Sequence, residues 1–71
     1  MVKILINNKT YGIINNKKKF ILENKGVNSL TIEAMQEKVD EAISRYDEIK
    51  EQGFIHSPGH PVVTDFVWVN D

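Results

Sequence analysis

The sequence predicts an α+β domain: a small antiparallel β-meander of three to four strands with one long α-helix packed on one face. Three observations predict it. The N-terminal stretch says nearly the same thing twice, LINNK at 5–9 and IINNK at 13–17. The segment 31–52 places apolar residues three and four apart. The run 62–69, VVTDFVWV, is dense in β-branched and aromatic residues.

The strands come first. Asparagine tolerates the left-handed conformation that tight hairpin turns require, so each Asn-Asn pair marks a reversal. Apolar and β-branched residues flank both pairs, which reads as strands over Val2–Ile6, Lys9–Ile14 and roughly Lys18–Glu23. The period of eight residues is one strand plus one turn. Gly12 weakens the second strand and marks it for an irregularity.

Asn24-Lys25-Gly26 ends the strand run, and a helix over 31–52 follows. Thr31 is the N-cap, its hydroxyl placed to accept from the free amides of the first turn. Leu30 before the cap is positioned to pack on Met35 as a hydrophobic staple. Glu33 suits the N-terminus and Lys50 the C-terminus. Gly53 is the left-handed residue after the last turn, and Phe54 should then meet Ile49. The apolar stripe runs Ile32, Met35, Val39, Ala42, Tyr46, Ile49, with Ile43 widening it. Beyond the helix, Phe54–Pro61 reads as a loop turning at Pro58-Gly59, before a final strand at 62–69.

That strand carries the main expectation about function. Alternation puts Val62, Thr64, Phe66 and Trp68 on one side of the sheet and Val63, Asp65, Val67 and Val69 on the other. Both sides are mainly apolar, but one helix covers only one of them. The adjacent residues Ile13-Ile14 and Phe20-Ile21-Leu22 point the same way. A 22-residue helix is also about 33 Å long, against about 26 Å for an eight-residue strand, so Tyr46 and Ile49 should overhang the sheet. A two-fold homodimer answers both problems, with Tyr46, Ile49, Val63, Val67, Val69 and Trp68 at its interface. The competing reading is a monomer whose 54–61 loop folds over the second face.

Composition bounds the rest. Seventy-one residues form a single domain, and a chain of this size buries only about 60% of the surface its unfolded form exposes. There is no cysteine, so disulfides and thiolate metal sites are excluded. No stretch approaches the ~20 apolar residues of a membrane span, and the run Met1–Ile6 is too short for the apolar core of a signal peptide. A cytoplasmic location is the expectation. Residues 1–26 hold six lysines against Glu23, a net of +5, and 27–53 hold seven acids against Lys38, Arg45 and Lys50, a net of −4. A basic sheet half beside an acidic helix is unlike a general DNA binder.

Each candidate site has two readings. Lys17, Lys18 and Lys19, with Phe20, Tyr11 and Trp68 near, read either as a nucleic-acid-binding hairpin or as a solvated tip that discourages edge-to-edge association. His56 and His60 have a four-residue spacing that serves zinc on a helix, but Pro58-Gly59 between them denies helical geometry. No metal site and no cofactor is expected. Trp68 is an interface anchor or ordinary core. The helix acids mimic phosphates or form a solvated face. No serine has a nucleophile context and no glycine-rich loop is present, so an enzyme is not expected.

The ILINN and GIINN strands, the helix TIEAMQEKVDEAISRYDEIKEQG and the ending VVTDFVWVN resemble, in length and layout, a small family of Bacillus prophage proteins of the Yopt type. That resemblance implies about three strands, one helix and a homodimer. It implies no activity and no site residues. Taken together, the expectation is a small homodimeric binding protein, a phage or prophage accessory factor acting on a host protein, with nucleic-acid binding through Lys17, Lys18 and Lys19 as the alternative.

Overall fold

The two Asn-Asn pairs both reverse the chain, by different means. Asn7 and Asn8 each have positive φ, 50° and 69°, which makes them the primed two-residue turn joining β1 (Val2–Ile6) to β2 (Lys9–Ile14). At the second pair only Lys18 has positive φ, 61°. There the Asn15 side-chain oxygen accepts from the amides of Lys17 and Lys19, both at 3.0 Å, and the chain enters β3 (Phe20–Leu22). A sequence repeat has become two distinct turns.

The computed structural model describes residues 1–25, 31–58 and 62–70, with backbone alone for Pro58. Within these the fold is α+β: a five-stranded antiparallel sheet with two helices on one face. After β3 come α1 (Ile32–Ser44), α2 (Tyr46–Gln52), β4 (Phe54–Pro58) and β5 (Val63–Trp68). The strand order is β3-β2-β1-β5-β4. The helices thus carry the chain from one edge of the sheet to the other, and the β4–β5 hairpin returns it to the middle. β1 lies between β2 and β5, with Val2 opposite Ile14 on one side and Trp68 on the other.

Segment 54–58, expected as loop, is the edge strand β4. Its composition is a poor strand signal, and it forms because Phe66 of β5 takes Ile55 as its cross-strand neighbour. The turn expected at Pro58-Gly59 and the residue His60 fall at or beyond the limit of the described residues, and Leu30, the expected staple, lies outside them.

The single helix of the sequence reading is two, of 13 and 7 residues. A straight 33 Å rod would exceed the 28 Å longest dimension of the molecule. The helix instead breaks at Arg45 (φ −103°, ψ 17°), and Tyr46 and Ile49 beyond it are buried and do not overhang. The hydrogen-bond ladder continues through the break, with Arg45 N–H donating to Glu41 O and Ile49 N–H to Arg45 O. Met35, Val39, Ala42, Tyr46 and Ile49 therefore stay in phase and are all buried. Both ends match expectation. Thr31 Oγ1 accepts from Ala34 N–H at 3.1 Å, and Gly53 closes α2 at φ 83°, donating to Ile49 O. Two apolar positions do not match. Ile32 is 86% exposed, since a residue in the first turn projects past the sheet. Phe54 is in register with Val67 rather than with Phe66, so it faces away from Ile49.

The core is one layer between helices and sheet: Val2, Ile4, Ile6, Ile14, Ile55, Val62 and Phe66 against Val39, Ala42, Tyr46 and Ile49. Gly12 is required where β2 bulges against Ile4 and Leu5. A Cβ there would collide with the Phe20 ring and come within 2.7 Å of Ile21 O, and the Phe20 ring in turn stacks on Tyr11 at 5.3 Å. Gly12→Ala should therefore cost about 1–3 kcal/mol by overpacking, read from urea unfolding; an unchanged midpoint would mean that Phe20 is free to move. Thr64 is the one buried polar residue among those described, and its hydroxyl has no hydrogen-bond partner. Thr64→Val keeps the shape and removes the unmet hydroxyl, so stability should rise by about 1 kcal/mol. A loss of that size would reveal a bond to the hydroxyl.

Candidate interaction surface

The face of the sheet away from the helices follows from register. Cross-strand partners share a side, so the row Ile21, Ile13, Lys3, Val67, Phe54 and the row Leu5, Asp65, His56 lie together opposite the core. No helix or strand of the described residues covers this face. Phe54 is 53% exposed, Ile21 49% and Val63 40%, while Leu5, Ile13, Val67 and Val69 are partly exposed. An apolar sheet face of this kind is what soluble monomers avoid.

Charge in the middle of the face is balanced. Lys3 stands beside Asp65, which is held by His56 on the neighbouring strand, Nδ1 to Oδ1 at 2.7 Å. His56 therefore has a carboxylate as its partner. Among the described residues no group of three or more His, Cys, Asp or Glu is arranged to hold a metal ion.

The residues expected at a dimer interface divide. Val63, Val67 and Val69 belong to the open face. Tyr46 and Ile49 do not: both are buried in the chain's own core, because the break at Arg45 lays α2 onto the sheet instead of past it. Trp68 is on the helix side, its ring edge-on to Tyr46 at 5.4 Å, with the indole Nε1–H donating to Asn70 Oδ1. It closes the end of the core. The alternation of β5 sorted Val67 and Val69 correctly. Leu5, Ile13, Ile21 and Phe54 join them only once the strand pairing is known, and Phe54 was hidden by its expected role as a helix-end contact.

The three lysines of the hairpin tip are exposed, and Lys18 differs from the other two in an aromatic contact. Lys18 Nζ lies 5.8 Å from the Tyr46 ring centre, and Lys50 Nζ lies 5.6 Å from that of Trp68. Both ammonium groups lean on the Tyr46–Trp68 pair, and the Lys18 contact joins the tip to α2.

A polar strip runs along the helices beside β4. Ser57 Oγ donates to Glu41 Oε2 at 2.8 Å and accepts from Lys38 Nζ at 3.2 Å. Arg45 continues the strip, donating to Glu48 at 2.8 and 3.2 Å and to Glu41 at 3.4 Å. The hydrogen bond from Arg45 holds the Glu48 carboxyl below its ordinary value, and the same bond raises Arg45. The strip fixes α1 over Ser57 and so fixes β4 against the helices.

No family model, curated protein or solved structure matches this chain.

For Glu48 the sign follows directly. A carboxyl whose folded-state value is depressed stabilises the fold above its unfolded value and loses that contribution as pH falls through the folded one. The midpoint of Glu48, followed by carbon-detected NMR, should lie below the ordinary glutamate value and rise in Arg45→Met. A midpoint unmoved by that substitution would show that the ion pair does not persist in solution. The effect on total stability should be slight, because the pair is on the surface.

Proposed function

We propose that this chain is a small protein-binding protein that works as a homodimer, cytoplasmic and of mobile-element origin, with a host protein as its target. The observation that carries the reading is the uncovered sheet face. Leu5, Ile13, Ile21, Phe54, Val63 and Val67 lie there together, opposite the side where all the helices pack. Its balanced centre, Lys3 beside Asp65, fits an apolar and nearly neutral protein surface better than a polyanion. Binding is the role a surface like this supports.

Self-association is supported by size. A core one layer deep, with no disulfide to reinforce it, leaves a chain of this length with a thin stability margin that a second copy adds to. Membrane association has no support in the helices, none of which among the described residues is long and apolar enough to cross a bilayer. Nucleic-acid binding through Lys17, Lys18 and Lys19 is the weaker alternative, because Lys18 is turned back onto Tyr46.

Two measurements test the reading. Sedimentation equilibrium should give about twice the chain mass of 8.2 kDa; a concentration-independent mass of one chain sinks the homodimer. Captures from bacterial lysate, with nuclease and high-salt washes, should retain a protein that Val67→Asp no longer retains. If all captured material is nuclease-sensitive and equally bound by Val67→Asp, the open face is not the contact surface.

A further inference from the structure

β4 is an edge of the sheet, and the phase of its ladder tells which of its main-chain groups point outward. Trp68 N–H donates to Gly53 O, whereas Val69 N–H donates to Met1 O and the Met1 amine donates to Val69 O. Even-numbered residues of β5 thus bond toward β4 and odd-numbered ones toward β1. By register, Ile55 and Ser57 bond their amides and carbonyls to Phe66 and Thr64. The N–H and C=O groups of Phe54 and His56 then point away from the sheet, along with the carbonyl of Pro58. A proline at 58 leaves no orphan donor there.

Sheet edges are usually blunted by brevity, by charge, by proline or by a bulge. The opposite edge follows this rule: β3 has three residues and leaves the Lys17-Lys18-Lys19 tip. β4 follows it only at its last residue, Pro58. It has five residues, no lysine and an unbroken register with β5, and before the proline it presents the half-exposed Phe54.

We propose that β4 pairs antiparallel with β4 of a second copy, across a two-fold axis at Ile55, to make one continuous sheet. The inference rests on the self-association proposed above and states how the copies join. In this register Phe54 of one copy faces the partner's His56, and the N–H and C=O of both residues are bonded in both directions. Ile55 meets its own counterpart. Ser57 falls opposite the partner's Gly53, which has no side chain to obstruct it. A register centred one residue on, at His56, would set Phe54 against Pro58 and leave the Phe54 carbonyl with no donor. On the helix side the strip Lys38, Glu41, Arg45 and Glu48 carries equal numbers of each sign, so two strips meet without net repulsion. On the other side the open faces become contiguous, and a partner meets one surface of doubled extent.

Hydrogen exchange resolved by residue tests this. As the protein is concentrated through its association range, the amides of Phe54 and His56 should slow, while those of Phe20 and Leu22 at the other edge should not. His56→Pro removes an outward N–H without touching the β4–β5 ladder, and should weaken dimerisation in sedimentation equilibrium by at least about tenfold. His56→Ala, which keeps the N–H, should leave it nearly unchanged, as should Val67→Asp. A dimer that survives His56→Pro, or that dissolves on Val67→Asp while the Phe54 and His56 amides stay fast, overturns edge pairing but leaves self-association standing through the sheet face. A chain that stays monomeric at every concentration overturns both. The exchange measurement uses the unmodified chain, so it decides the matter even if proline at 56 unfolds the protein.

Discussion

The pairing of β1 with β5 joins the two ends of the chain, and the rest of the structure depends on its register. Ile4 opposite Phe66 sends Val2, Ile4, Ile6, Thr64 and Phe66 to one side together. Because side chains alternate with period two, that choice is collective. It also sends Lys3, Leu5, Asp65 and Val67 to the other side. A slip of one residue would put Phe66 in water and Asp65 under the helices. Burial of several large side chains, each worth about 1.5–3 kcal/mol, makes such a slip prohibitive for a domain of this size. The uncovered face is therefore a consequence of the core and not an independent feature.

The helices answer to the same sheet. Their apolar stripe has to stay over the core face of the sheet while the chain crosses from the β3 edge to the β4 edge, and the two helices keep that stripe in phase across the break at Arg45. Neither glycine nor proline stands at the break. What marks it is a contact: Tyr46, the first residue of α2, packs edge-on to Trp68, and Arg45 beside it is held by Glu41 and Glu48. The polar strip and the aromatic pair seat α1 and α2 on the sheet from opposite ends.

Two surfaces are left unfinished by this arrangement, and they differ in kind. Among the described residues the open face has no apolar cover, which any shape-complementary protein surface supplies. Among the same residues the outward groups of the β4 edge have no hydrogen-bond partners in a set direction and spacing, which only an extended strand supplies. In the edge pairing proposed above, a single second copy satisfies the stricter demand and leaves the looser one for a different protein. This separation would allow a very small chain to be both an assembly and a binder.

Much of the fold was legible in the sequence because its signals are local. Two turns at the Asn-Asn pairs, the cap at Thr31, the left-handed Gly53 and the alternation of β5 each depend on residues a few positions apart, and each is present. Even the apolar excess on both sides of β5 could be read from period two. What the tertiary structure alone decided concerns residues far apart in the chain. β4 exists because Ile55 finds Phe66, and it had no strand composition of its own. Tyr46 and Ile49 are core because α2, in phase with α1 across Arg45, packs on β1, β4 and β5. Local preference sets most of the elements that form; the need to cover a single face of a five-stranded sheet with a short helical segment set how they pack, and which residues were left facing outward.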